Sequence, residues 1–542
     1  MLEGLHQMDW SRLSHAYGDA SDVPELISGL AAGSEETRTA ALDELFGNIC
    51  HQGTVYEATA VAVPFLIEIV ADPTIPGRDG VLHLLQAISE GWLECEKYAA
   101  EQGKFLPPAI AARHAQERPH YQAAHIAVAR GFDVLAVLLS DDEAAVRAGS
   151  AFVLATLTER FGDVASMLLD AIDIDQDEWC CGAFLLALLV LVQNSADRSI
   201  AEVAIRRFEM VLEESDSRVE ALSAGIALLR LGRDTAIPRV LALARPRLVE
   251  DRDVLADIPW NERNTLFSLI DDSLAFAPRQ RLKWIIEGMN HADRDVRSSA
   301  MMHGLDFCET FRWGPAELVP IYVKLIESPA ADVRSMAIRD LGRMGAAGVS
   351  YLKTLAKHPL SEVRNGVAEQ LKRSAASQKE RESWLREQRA FLLPSVSALL
   401  RTIDRHRDSP KWDDEQKVRE AVINLGFHGP RAAAAIEQLK QLTTRDNPWI
   451  RIHAIRAMWK ITQDPTLVVP LLHANLRPEP AAFLVLDCLK QIGARARSVV
   501  PELRRTMESE QRFFPHWGDP CALDEAFSQT CAETIRLIES GV

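Results

Sequence analysis

The eight cysteines, Cys50, Cys95, Cys180, Cys181, Cys308, Cys488, Cys521 and Cys531, include no CxxC pair, which removes the spacing that zinc knuckles and thiol redox motifs require. Basic residues are in deficit. Against 77 Asp and Glu stand 60 Lys and Arg, a formal charge of -17. Cations that release counterions supply most affinity for a phosphate backbone, so nucleic acid is disfavoured as a partner and a protein with a basic surface is favoured. The N-terminal MLEGLHQMDW has no basic stretch leading into an apolar run. It does not read as a secretory signal, which makes the cytoplasm the expected location and reduced thiols the expected state. Between Glu178 and Asp197 the stretch WCCGAFLLALLVLVQNSA carries no charge. Its continuous apolar part, Ala183 to Val192, falls short of the ~18 residues that a membrane helix needs. With Gly182 before it and Gln193, Asn194 and Ser195 after it, the segment reads as a helix buried on all sides, and no membrane association is expected. Nor is there convincing strand-like alternation anywhere along the chain.

What the chain has is repetition. In PAELVPIYVKLIESPAADVRSMAIRDLGRMG, Pro315 suits a first helical turn and Leu318, Val319, Tyr322 and Leu325 follow at helical spacing. Pro329 interrupts, Asp332 is placed to cap a second helix, and Val333, Met336, Ala337 and Leu341 form its stripe before Gly342 and Gly345. VSYLKTLAKHPLSEVRNGVAEQLKRS repeats the pattern, with Pro359 as breaker, Ser361 as cap and Val363, Val367, Ala368 and Leu371 as stripe. Similar second-helix openings occur at Asp142, Asp216, Asp293, Gln416 and Asn447. Arg297 to Arg334 spans 37 residues, Arg334 to Arg364 spans 30 and Arg419 to Arg451 spans 32. Recurrence at that period predicts an all-α fold, a right-handed α-α superhelix of roughly twelve helical hairpins stacked in sequence order.

The arginines pose a problem. Arg147, Arg297, Arg334, Arg364, Arg419 and Arg451 are all expected in the first turn of a second helix, where a cation opposes the helix dipole by ~0.3–1 kcal/mol. Carboxylates at the equivalent turn of a neighbouring hairpin, such as Asp295, Asp332 or Glu362, would compensate them in a ladder along one rim. A solvated, unpaired arginine is the alternative.

The Pro-started first helix and the D-x-V-R opening of the second, clearest in ADVRSMAIRDLG and LSEVRNGVAEQL, resemble the HEAT-repeat family from about Asp142 onward. Two units depart from it: Val219 is followed by Glu220 in place of Arg, and Trp449 and Ile450 precede Arg451. HAYGDASDVPELI and HQGTVYEATAVAVPFL are similar to the start of uncharacterised bacterial HEAT-repeat proteins, a likeness that implies no activity. The resemblance implies N-terminal capping hairpins over 1–93, a helical insertion over 94–121, the solenoid over 122–495 and a C-terminal capping hairpin with an aromatic loop over 496–542.

Chemistry-bearing residues concentrate at two places. His15 and Tyr17 of HAYG, with His51, Gln52, Thr54, Tyr56 and Glu57 of HQGTVYEA, gather at one interhelical corner. Two readings stand: a terminal repeat needs polar side chains to bond its free helix ends, or the cluster holds a small ligand or a partner's side chain. Cys50 beside His51 does not make a nucleophile, because consecutive helical residues do not face each other. His51 and Glu57 are at most two ligands, so no metal is expected there. Near the C-terminus Phe513, Phe514, His516 and Trp517 either cover the last hairpin or anchor a partner. DIDQDEWCCGAF fails as a calcium loop, with Glu178 and Phe184 where Gly and Glu belong. His114, His120 and His125, broken by Pro119, read as solvated helix ends, and the mixed charges of KRSAASQKERESWLREQRAF read as a solvated helix.

The resulting expectation is a non-enzymatic scaffold, adaptor or inhibitor, such as an antidote that masks a toxin, binding through a concave face and using no cofactor. The alternative is an enzyme or nucleic-acid repair protein built on the N-terminal corner.

Overall fold

The computed structural model describes residues 2–102, 108–195, 197–249, 265–384, 393–407, 409, 411–515 and 517–541, with side chains described outside 98–102, 108–115, 247 and 384. Pro107, Arg386, Arg389 and His516, and the side chain of His114, lie outside that set. The described chain is overwhelmingly helical and forms an all-α solenoid of helix pairs. It divides into two compact units, Met1–Arg281 and Leu282–Val542.

In the first unit the helices Ala144–Ala155, Glu178–Asn194 and Arg218–Arg230 lie side by side in chain order. Each is buried on nearly every face, with Cys180 through Leu189 entirely inside for the middle one. Small residues permit the close approach. A side chain on Gly182 would meet Ser223 and Val219 at 2.9 and 3.0 Å. The partner helices Phe161–Ile174 and Arg198–Glu214 bury only one stripe and cover this layer from outside. No helix among the described residues is long and apolar enough to cross a membrane.

Two expectations are corrected here. Strands do exist: β1 (Ser14–His15) pairs with β2 (Gly18–Asp19), and β3 (Cys50–His51) pairs with β4 (Thr54–Val55), both antiparallel. Two residues per strand are too few to show alternation in sequence. The second hairpin turns through Gln52 and Gly53, at φ of 51° and 79°, the left-handed pair that a two-residue hairpin loop demands. Pro119 does not break its segment either. One helix runs Pro108–Arg130 and packs along Arg78–Gln102 as an elongated hairpin.

In the second unit the helices Ala331–Arg343 and Ser361–Trp384 pack together, and a second apolar cluster extends from Leu399 to Ile538 through the layer Trp412–His428, Pro448–Thr462, Ala482–Ile492 and Pro520–Ser540. Stacking here is not purely sequential. The last helix, Pro520–Ser540, also packs against Arg294–Thr310, Ala331–Arg343 and Gly345–Thr354. The junction is polar and buried: Arg312 grips both oxygens of Asp524 at 2.8 Å, Arg512 reaches the same carboxylate at 3.3 Å, and Arg512 Nε donates to the Cys308 carbonyl at 2.7 Å. Arg312 and Arg512 also exchange backbone bonds across the two segments, with the Glu510 and Thr310 carbonyls.

Candidate partner-binding sites

The two hairpins bring the N-terminal residues together. His15 is buried and accepts the Tyr17 backbone N–H on Nδ1 at 3.0 Å, so its Nε2 donates to Asp22, 2.9 Å away. Tyr17 is 70% exposed, its hydroxyl 3.3 Å from His51 Nδ1 and its ring edge-on to the imidazole at 5.4 Å. Glu57 is exposed and accepts from Ser14 Oγ at 3.0 Å. Gln52 projects at the tip of the β3–β4 turn, and Thr54 beside it is half-buried. Tyr56 precedes the helix Glu57–Ala71, its backbone N–H on Thr59 Oγ1 at 2.9 Å. Helix ends are also served here: Ala16 N–H bonds the Asn48 carbonyl, and Thr59 Oγ1 bonds the Ile49 carbonyl. Those bonds use backbone and Thr59, and leave Tyr17, Gln52 and Glu57 facing solvent. Cys50 lies in β3, not in a helix, and burial pushes its thiol up to about 11.

The C-terminal aromatics divide. Phe514 is fully buried, edge-on to Phe527 at 5.1 Å, and Phe513 stacks on Phe527 at 4.6 Å. Their chemistry is core packing, and Phe514 is removed from the set of partner contacts because no surface of it is reachable. Trp517 is 47% exposed and faces a cavity of about 630 Å³. The walls of that cavity carry Arg339 and Arg343 from Ala331–Arg343, Arg373 and Arg381 from Ser361–Trp384, and Trp449 from Pro448–Thr462. Gly342 makes the joint between the first two helices possible, since a side chain there would meet Gln370 at 3.0 Å. Arg343 pairs with Glu309 at 2.7 Å and Arg339 with Asp340 at 2.8 Å. Burial pushes Glu309 up to about 7 against the pull of Arg343, and raises Asp340 and Asp519 in the same direction. The sequence carries only half of this site: Gln370, Arg373, Ser374, Ser377 and Arg381 recur at three and four, a polar stripe on one helix face, but only the fold shows that the stripe faces a wall.

Several solved structures show a loose likeness to the chain. Kap121p bound to Pho4p matches at 13% identity and TM-score 0.38, covering 95% of this chain and 53% of that one. Importin beta in an ammonium sulfate condition matches at 11% and 0.37, covering 95% and 67%. An engineered protein matches at 15% and 0.26, covering 81% and 98%. The chain thus spans about half the length of Kap121p. No family model matches the chain, and no curated protein matches it. Likeness this loose transfers nothing about activity.

The rim arginines share one geometry. Arg147, Arg297, Arg334, Arg364 and Arg451 are each the fourth residue of a helix, and each folds Nη1 back onto the carbonyls six and five residues earlier, at 2.6–3.3 Å. The cation thus sits on the turn carbonyls of its own hairpin. Three of them add a carboxylate 28 residues ahead: Asp175 for Arg147, Glu362 for Arg334 and Glu479 for Arg451. Asp332 neither caps a helix nor serves Arg334. Its carboxylate takes Arg294 at 2.5 Å. Arg419 differs because its helix starts early, at Trp412, so residues 413 and 414 are already helical. Its guanidinium lies 5.9 Å from the Trp449 ring instead.

Other clusters are occupied structurally. Asp173 pairs with Arg207, Asp175 with Arg147, and Asp177 caps Glu178–Asn194 by accepting from Trp179 and Cys180, which leaves little acidic rim for a partner. His125 is not a solvated helix end: it is buried, 2.9 Å from Ser89 Oγ and 3.2 Å from Glu159. The resulting Glu, His and Ser order resembles a hydrolytic triad in outline. Ser89 is fully buried in mid-helix and already receives Thr156 Oγ1 at 2.7 Å, so no substrate carbonyl can approach it. All eight cysteines are buried and free.

Proposed function

We propose that the chain is a non-enzymatic protein-binding scaffold, an adaptor or masking inhibitor, that receives a basic side chain of its partner at the N-terminal corner. The observation that carries this reading is Tyr17, 70% exposed with its hydroxyl 3.3 Å from His51 and its ring edge-on to the imidazole. A rigid exposed aromatic is the side chain that interfaces use as an anchor. Three carboxylates belong to the same corner: Asp19 on β2, Asp22 bonded to the neighbouring His15, and Glu57, which accepts from Ser14 of β1. Bonds from the Ser21 hydroxyl and backbone N–H hold Asp19 below the usual carboxylate range. A lysine or arginine laid over the Tyr17 ring would meet both the ring face and these carboxylates, a combination that suits a cation. The overall charge of -17 draws a basic protein toward the surface from a distance.

The test is a photo-crosslinking residue at position 17 in cells, with the same residue at exposed Ile174 as control. A discrete adduct with a basic protein at position 17 only, lost when Glu57→Lys reverses the local charge, is the expected result. Equal labelling at both positions, or an adduct indifferent to Glu57→Lys, overturns the reading.

A further inference from the structure

The 630 Å³ cavity of the second unit has the opposite electrostatic character from the chain that contains it. Four arginines line it, Arg339, Arg343, Arg373 and Arg381, against two carboxylates, Glu380 and Asp519, although the whole molecule carries -17. Three of the arginines pair with carboxylates of their own helix or its neighbour, and remain 45% to 66% exposed at the side chain. Each guanidinium has five donors in a fixed fork, so these single pairings leave donors to spare.

The spacing of the charge narrows the ligand. Arg373 and Arg381 are eight residues apart on one helix, about 12 Å at the helical rise. A single phosphate is too small to bridge them. An extended peptide places the side chains of residues four apart about 13 Å from each other on one face. The lining also carries Trp449, Trp517 and Pro480, flat apolar surfaces that complement an aromatic or aliphatic side chain. Glu380 and Asp519 interrupt the positive wall. A continuous polyphosphate or nucleic-acid backbone would press against both, whereas a peptide with spaced carboxylates can avoid them.

We propose that this cavity binds an extended acidic peptide segment of a partner protein, with its carboxylates on Arg373 and Arg381 and an apolar side chain between them against Trp517. The site is independent of the N-terminal corner and does not rest on the reading given for it.

The experiment is fluorescence anisotropy of the full chain with a fluorescein-labelled peptide EEDEFEDEE, its QQNQFQNQQ counterpart with the same label, and a labelled single-stranded oligonucleotide. The acidic peptide should bind, the amide peptide should not, and Arg373→Glu with Arg381→Glu should weaken binding by about tenfold or more, equivalent to losing at least one good charged contact. Trp517→Ala should weaken the acidic peptide and leave a variant peptide with Ala for Phe unaffected. Both arginines are at the surface of the cavity, so melting curves of the variants should match the parent and separate binding loss from unfolding. Failure of the acidic peptide to bind, equal binding by the double variant, or tighter binding of the oligonucleotide dependent on the same arginines would each overturn the proposal. Because Tyr17 and Glu57 are not involved, their variants should leave this binding unchanged whatever they do to a basic partner.

Discussion

The six rim arginines are recognisable as a set from spacing alone, and so is the Glu362 partner of Arg334, but the bond that five of them share is not. The expected compensation was a carboxylate on a neighbouring hairpin. In the structure the contact common to five of them is local: one guanidinium nitrogen bonds two carbonyls of the preceding turn, and three arginines then add a carboxylate. The two contributions are separable at Arg334. Arg334→Ala strands two turn carbonyls and should cost about 1–3 kcal/mol. Glu362→Gln removes only the half-exposed partner and should cost about 1 kcal/mol or less. Urea denaturation of both variants decides which contact stabilises the turn; equal losses would return the main role to the ion pair. The equivalent logic explains Arg419, whose spacing fitted the set but whose helix begins too early for its side chain to reach turn carbonyls.

Helices and their pairing were legible because apolar residues at three and four, bounded by proline and glycine, leave little alternative. The packed stripes then carry the energy. Leu341 is fully buried, and Leu341→Ala should destabilise the chain by about 2–5 kcal/mol, the range for a core leucine whose surroundings relax incompletely. Melting of this variant against Tyr17→Ala, which touches no core, checks the expectation that stability lies between hairpins and binding on their surfaces. The elements without a signature in the sequence are the shortest ones. β1 to β4 have two residues each, and no periodicity exists at that length. They matter nonetheless, because they turn His15, Tyr17 and His51 toward one another. For His125 the reason is the opposite: its helix continues through Pro119 and carries it into a buried polar network.

At the scale of a whole unit, the second one holds its last helix against its first hairpins through Asp524. That carboxylate and the Arg512 side chain are each 2% exposed, and Arg312 completes the group. Removing one charge from a buried set leaves the others uncompensated, so Asp524→Asn should cost about 3–5 kcal/mol. Hydrogen exchange should then rise at the backbone of Arg312 and Arg512 together, since each donates to the other segment. Exchange that rises on only one side would mean that the two segments are held by something else. The arginine-lined cavity belongs to the same scale, because its walls come from helices more than a hundred residues apart in the chain.

The sequence by itself determined the helical hairpins and the apolar stripe of each helix, since both depend on residue types within one or two helical turns. Tertiary structure alone decided that Phe514 is core, that Asp332 serves Arg294, that the last helix folds back on earlier hairpins, and that Arg373 and Arg381 line a cavity instead of facing open water. The physical reason is distance along the chain. Local periodicity sets which face of a helix is apolar, but what lies opposite its polar face depends on contacts between segments far apart in sequence, and no nearby residue encodes them.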